Sequence, residues 1–516
     1  VSIEEVVIGP DQETSLSQIV AVARHGASVR ISDASFEQMA KSRQVIDELA
    51  ASAKPVYGVS TGFGALATRH IEPELREELQ ASLIRSHAAG MGAVIPSEIV
   101  RGLMFLRAKT LASGKTGVRP EVTALMVDLL NAGVTPVVYE YGSLGCSGDL
   151  APLAHCALVL MGEGEATIGN DASVLSGAEV LKRIGRSPLT LGAKEGLALI
   201  NGTDGMLAMA ALAISDFEML LQSVDITASM SVEALLGTDA VFSEALHMPL
   251  RPHPGQGKSA ANMRAILSGS GIVASHKEGD SRVQDAYSLR CAPQVAGAAR
   301  DTLAHAALVA QREALSVIDN PVVLDNERTS SNGNFHGAPI AYILDFLAIA
   351  VADVASMSER RTDRLLDVAR SHGLPAFLAH NPGVDSGYMI AHYTQAAMVA
   401  ENKRLATPAS VDSIPTSAMQ EDHVSMGWAA GIKLRRALEN LARVIAVEAL
   451  VAARGIELRA PHAPAPATKK ALDVIRAHVP TMGPDRFLAP ELATVSALVG
   501  HGALVEAVAS VIGPLA

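Results

Sequence analysis

Two glycine-rich runs carry the residues best suited to chemistry. Lys54-Pro55-Val56-Tyr57-Gly58-Val59-Ser60-Thr61-Gly62-Phe63-Gly64 has three glycines in its last seven positions, and Gly142-Ser143-Leu144-Gly145-Cys146-Ser147-Gly148 ends at Asp149. Glycine permits backbone shapes that a helix cannot use, so both runs are expected to be loops, and loops on a rigid scaffold are where reactive groups sit. Within the first run, Gly58-Val59-Ser60-Thr61-Gly62 matches the G-x-S-x-G pattern of serine hydrolases. That pattern needs a strand before it and a helix directly after it, and neither is indicated. Gly257-Lys258-Ser259 resembles the end of a phosphate-binding loop, but the leading glycine of such a loop would fall at Pro252. The sixteen histidines form no H-E-x-x-H or other ligand set, so no metal is expected. Polar side chains also gather at 251–256, 331–337 and 415–423.

The elements that must position these loops are mainly helical. Ala, Leu and other strong helix formers dominate, aromatic residues are 3% of the chain, and alternating strand patterns are few. Ser32-Asp33 followed by Phe36, Met39, Val45, Ile46 and Leu49 predicts an N-capped amphipathic helix. Pro152 suits the first turn of a helix running through His155 to Met161. Beyond about residue 205 the breakers thin out, and long helices are expected over 206–230, 294–316, 338–369 and 426–453. At about 1.5 Å per residue such segments reach roughly 40 Å, the length of a bundle helix. The expected organisation is an N-terminal domain over 1–205 carrying the catalytic loops, then a long-helix bundle and oligomerisation domain over 206–516.

Bulk properties exclude several classes. With 516 residues, 49% of them hydrophobic and 19% charged, the chain can bury a large core and is not a disordered one. Forty-two Lys and Arg against 54 Asp and Glu give a net charge of −12, which is no footprint for nucleic acid. Cys146, Cys156 and Cys291 are too few for a disulfide framework and suit a reducing cytoplasm. The opening Val1-Ser2-Ile3-Glu4-Glu5 shows no basic segment followed by an apolar one, so no secretory leader is expected. The longest apolar stretch, near 206–214, falls short of the roughly 20 residues of a membrane helix, so no membrane partner is expected.

The run from Gly142 to His155 closely resembles the prosthetic-group loop of the histidine, phenylalanine and tyrosine ammonia-lyases. In that family an X-Ser-Gly tripeptide becomes 4-methylideneimidazole-5-one without any external cofactor. The resemblance implies that the Gly148 nitrogen attacks the Cys146 carbonyl, that two waters leave, and that Ser147 becomes an exocyclic methylene. Glycine lets the nitrogen approach unhindered, serine supplies the leaving hydroxyl, and the first residue gives only its carbonyl. Cys146 departs from the usual alanine while keeping the required atoms. The electrophile makes the substrate amine a better leaving group while a base takes a weakly acidic β-proton. A tyrosine base would need activation by burial near positive charge or near the electron-poor ring.

Other family motifs follow in order along nearly the whole chain. Tyr57 matches the catalytic tyrosine, and Asn201 matches the asparagine that contacts prosthetic group and substrate. Gln284, Tyr287 and Arg290, spaced by three, would share one face if that segment is helical. The resemblance gives Arg290 the substrate carboxylate, Tyr287 a share in proton transfer and Gln284 a hydrogen bond nearby. Phe335 looks like the aromatic contact beside the prosthetic group. Ser86-His87 and Gln420-Glu421 resemble the histidine-using branch, because a carboxylate at 421 can accept from an imidazole N–H whereas one facing a phenyl ring would lack a partner. The resemblance favours Tyr57 as the base, and leaves Tyr287 and Glu421 open as rivals. The implied fold is the mainly α aspartase/fumarase superfold, and the implied assembly is a homotetramer whose active sites draw on several subunits. The implied reaction is conversion of L-histidine to trans-urocanate and ammonia. The alternatives are tyrosine or phenylalanine lysis, a 2,3-aminomutase, or a helical scaffold without catalysis.

Overall fold

Helices occupy the stretches from which breakers are missing, and the four longest are Asp204–Ala234, Ala292–Leu315, Ala338–Leu366 and Gly427–Glu457. The computed structural model describes residues 3–52, 55–169, 171–324 and 328–516; Val1, Ser2 and Lys54 lie outside the described residues. The protein is mainly α. Strands are short and form small sheets, among them a parallel pair of Glu5–Ile8 with Ser28–Ile31 and a three-stranded antiparallel sheet built on Glu165–Ile168.

The chain divides into two compact units. Unit 1 comprises Val1–Leu212, Ala307–Asp345 and Pro408–Ile432, and unit 2 comprises Ala213–Ala306, Phe346–Thr407 and Lys433–Ala516. Four of the five crossings between them fall inside the long helices named above. Unit 1 opens with Leu16–His25, which starts at a capping box between Ser15 and Gln18 and ends at Gly26 in the left-handed conformation. Asp33–Ala51 follows Ser32 as expected, but the Ser32 side chain makes no capping hydrogen bond to the helix backbone; its hydroxyl lies 3.1 Å from that of Ser35 instead. Leu150–Leu160 carries Pro152 in its first turn, where the missing N–H costs nothing.

In unit 2 the apolar face of Gly427–Glu457 buries Leu434, Leu438, Leu441 and Ile445, spaced by three and four. Polar groups are buried with them. Glu448 accepts from Arg361 through both oxygens, at 2.5 Å (Nε) and 2.8 Å (Nη2), and from the hydroxyls of Thr227, Ser231 and Ser358. Both charged side chains are fully buried, so each depends on the other for solvation.

Two expectations need correction. Only Tyr287–Arg290 is helical, and Gln284 lies before that short turn, so the three residues share no helical face. Arg290 instead donates from Nε to the Asp285 carbonyl and places its guanidinium 4.6 Å from the centre of the Tyr287 ring. The apolar stretch at 206–214 also extends further than expected. By length and composition alone, Glu195–Ala234 and Ala338–Leu366 could each cross a membrane. The apolar window of the first is wholly buried in the protein, as befits a helix that is apolar on every side because it runs through a core.

The Glu448 cluster generates a stability prediction. Glu448→Ala leaves Arg361 buried without its counter-charge and is expected to cost about 3–5 kcal/mol, measured as an earlier urea-unfolding transition followed by circular dichroism.

Candidate active site

The loop ending at Gly148 owes its shape to close backbone packing. Gly148 has φ +77°, and a β-carbon there would lie 2.2 Å from the Gly202 carbonyl oxygen. No other residue fits. Gly145, at φ +68°, accepts through its carbonyl from the Gly337 N–H at 2.9 Å and the Ser425 hydroxyl at 2.8 Å. The Met426 N–H donates to the Leu144 carbonyl at 2.9 Å. Three distant stretches of unit 1 thus hold one tripeptide.

Asp149 anchors the end of the loop. Its carboxyl is fully buried and accepts from the Ser143 hydroxyl at 2.8 Å and from the Gly205 and Met206 N–H groups at 2.9 Å each. The last two are donors in the first turn of Asp204–Ala234 that have no partner within the helix. Burial outweighs these hydrogen bonds and pushes the Asp149 carboxyl up to about 7. Beside it, Arg107 donates to the Ala198 and Ile318 carbonyls and pairs with Asp204. This brace flanks Asn201 and Gly202.

A cavity of about 1130 Å³ opens in front of the loop, and all of its lining residues belong to unit 1. Tyr57, His87, Cys146, Ser147, Asn201, Phe335 and Glu421 all line it. Gly148 lies directly behind, while Gln284, Tyr287 and Arg290 belong to unit 2. Ser60 is buried and accepts from the Val56 N–H at 3.0 Å, with no strand before it and no α-helix directly after, so it is no nucleophile elbow.

Glu421 is the hub. Its Oε1 accepts from the Ser147 hydroxyl at 3.0 Å, and its Oε2 accepts from the Thr416 hydroxyl at 3.1 Å and the Cys146 thiol at 3.3 Å. An antiparallel bridge between Thr416 and Glu421 closes the hairpin that carries it, with Ser417, Ala418 and Met419 all in the left-handed region. The Cys146 side chain packs against Val424 and Met426. Burial and the nearby Glu421 charge push its thiol up to about 11, which keeps it protonated and argues against a reactive thiolate.

Tyr57 meets Phe63 edge to face and accepts through its hydroxyl from the Gly64 N–H at 3.2 Å. Its pKa is raised, by burial first, with the Gly64 hydrogen bond opposing and the Glu421 charge adding to the rise. The charge that acts on it within this chain is the Glu421 carboxylate. His87 bonds through Nδ1 to the Leu83 carbonyl at 2.9 Å, so Nδ1 carries the proton and Nε2 is left as an acceptor. Burial holds its pKa below the ordinary value, against the raising effects of Leu83 and Glu421.

Asn201 donates from Nδ2 to the Asn320 carbonyl at 3.2 Å, while its buried Oδ1 has no partner among the described residues. The same short path reaches a buried ion pair, Lys194 with Asp319 at 2.5 Å. The cyclised tripeptide fits this setting. Gly148 is held where only glycine can be, Ser147 faces a carboxylate, and an unpartnered acceptor waits at Asn201.

Sequence reasoning passed over the roles of Asp149, Thr416 and the His336–His423 pair, whose rings lie 5.4 Å apart at the cavity. Asp149 and Thr416 could be found only as polar neighbours of Gly148 and Glu421 in the chain.

A model of the aromatic amino acid lyase family matches residues 14–477. A histidine ammonia-lyase of Streptomyces coelicolor is 62% identical over 511 residues, 99% of either chain. Among solved structures, tyrosine aminomutase from Streptomyces globisporus superimposes with a TM-score of 0.91 at 36% identity, covering 98% of this chain and 99% of that one. Histidine ammonia-lyase from Trypanosoma cruzi gives 0.89 at 38% identity, covering 98% and 95%.

The Asp149 carboxyl predicts a pH dependence. Its folded pKa of about 7 lies above the ordinary 3.8, so the native state holds a proton that the unfolded state releases. Its contribution to stability is full below about pH 4 and falls as pH rises to about 7. Urea midpoints measured across that range should fall less steeply for Asp149→Asn, which keeps the neutral shape, than for the parent.

Proposed function

The chain belongs to the aromatic amino acid lyase family, and from that premise we propose that it converts L-histidine to trans-urocanate and ammonia. The observation that carries the substrate choice is a carboxylate, Glu421, in the same cavity as a neutral histidine, His87. Both present acceptors, and an imidazole N–H satisfies one of them. A phenyl ring would satisfy neither, and an unpaired acceptor removed from water costs free energy. The high identity to a histidine ammonia-lyase supports the same reading.

The prosthetic group we propose is 4-methylideneimidazole-5-one made from Cys146-Ser147-Gly148. When formed, it supplies the electrophile that turns the substrate amine into a good leaving group. The chain's own residues do the rest. Asn201 offers its free Oδ1 to the group or to the amine, and Phe335 walls the cavity. Tyr57 takes the β-proton, with the Gly64 N–H stabilising its phenolate. The burial that raises its pKa also keeps water from competing for that proton.

Gln284, Tyr287 and Arg290 enter this reading as groups supplied by other copies in a homotetramer, with Arg290 taking the substrate carboxylate, Tyr287 assisting proton transfer and Gln284 hydrogen-bonding nearby. Two observations support sharing. Val283 is 98% exposed and Tyr287 70%, a segment without enough cover in one chain. Tyr342, Phe346 and Ile349 form an exposed apolar stripe on one face of Ala338–Leu366, as an association surface would. The three free thiols support a cytoplasmic location.

Separate incubation with histidine, tyrosine and phenylalanine tests the substrate. Urocanate absorbance from histidine is expected, and coumarate from tyrosine without urocanate from histidine would overturn the assignment. Intact mass tests the prosthetic group, which requires a chain lighter than its sequence by two waters. Shared sites are tested by complementation. Ser147→Ala and Arg290→Ala are each expected to be inactive alone, and to regain activity when co-expressed, because a mixed tetramer contains sites with both parent residues. No recovery from a confirmed mixed tetramer would place the three residues elsewhere.

A further inference from the structure

We propose that Glu421 is the acid–base residue of the chain's own maturation, acting on Ser147 before any substrate is bound. The inference rests on the reading that Cys146-Ser147-Gly148 cyclises. It goes beyond that reading by assigning the proton transfer to one side chain.

The geometry is specific. Oε1 of Glu421 accepts from the Ser147 hydroxyl at 3.0 Å, the group that must leave. Oε2 is held by two neutral donors, the Thr416 hydroxyl and the Cys146 thiol, so one oxygen is anchored while the other faces the reaction. The bridge between Thr416 and Glu421 fixes the backbone behind it. The neighbouring carboxyl cannot take this part, because Asp149 is committed to Ser143 and to the Gly205 and Met206 N–H groups. The Cys146 thiol is held in its protonated form and offers no competing base.

The balance is as follows. The Gly148 nitrogen bonds to the Cys146 carbonyl carbon, and that oxygen leaves as the first water with the protons of the Gly148 and Ser147 nitrogens. The second water comes from Ser147 alone. Glu421 takes the Cα proton, and that electron pair becomes the Cα–Cβ double bond as the Cβ–Oγ bond breaks. Glu421 then returns the proton to the departing oxygen. Cα is two bonds from Oγ, so one carboxylate touching Oγ can serve both ends of the elimination. No oxidant or reductant is needed, and Glu421 ends as it began. With the Ser147 oxygen gone, Oε1 is released for the substrate imidazole, so maturation itself clears the acceptor that substrate binding uses.

The test is intact-mass spectrometry of the full chain during cell-free synthesis, with folding followed by circular dichroism. The parent chain should lose two waters; if it does not, the cyclisation reading fails rather than this inference. Glu421→Gln and Glu421→Ala are run in parallel, so that either can carry the test if the other does not fold. Loss of the second water should slow by about 10²–10⁴-fold, the usual share of a positioned acid–base group. Formate added to Glu421→Ala should restore part of the rate, which a merely structural role would not allow, and no effect of formate counts against the proposal. A folded variant that loses both waters at the parental rate overturns it.

Discussion

The approach of Gly148 to the Gly202 carbonyl is the constraint on which the rest of the site depends. With a hypothetical β-carbon only 2.2 Å from that oxygen, the contact exists only for glycine, and it presses the reactive tripeptide onto the turn between Glu195–Ile200 and Asp204–Ala234. Asp149 secures the contact from the other side, its N–H donating to the same Gly202 carbonyl at 2.7 Å while its side chain caps the long helix. A helix terminus with unmet N–H donors and a loop with a buried carboxyl thus satisfy each other. Burying that carboxyl raises its pKa, a cost accepted where position matters more than charge.

From this anchor the electrostatics of the cavity follow. Glu421 is the charge that its neighbours respond to, raising the pKa values of Tyr57 and Cys146 and opposing the burial that lowers that of His87. Burial first, and this carboxylate with it, keeps the Cys146 thiol protonated and makes the Tyr57 phenol harder to ionise. The site thus sets this carboxylate among neutral hydroxyl and thiol donors. Arg69 is the arginine in the lining of the same cavity.

Much of this was legible in the residues. The long helices lie within a few residues of their expected bounds, since helix formation is decided by neighbours three and four positions away. Ser32 marks the start of Asp33–Ala51, and Pro152 sits in a first turn, for the same local reason. Seven of the expected site residues line one cavity, because residue type and motif order were enough to select them. The segment around Gln284 was harder to read. A spacing of three suggested a helical face, yet only four residues there are helical, too few for periodicity to signal.

What the sequence by itself determined is therefore the local framework and the atoms available for reaction: glycine where nothing else fits, serine with a hydroxyl to lose, long helices wherever breakers are missing. Only the tertiary structure decided which of those atoms meet. Ser147 and Glu421 lie 274 positions apart in the chain, and unit 1 is assembled from three separated stretches. Contacts at that range follow from packing many side chains at once, and no short window of sequence contains them. The same holds for the pKa values of Tyr57, Cys146 and Asp149, which depend on how deeply each is buried and on which charge lies beside it.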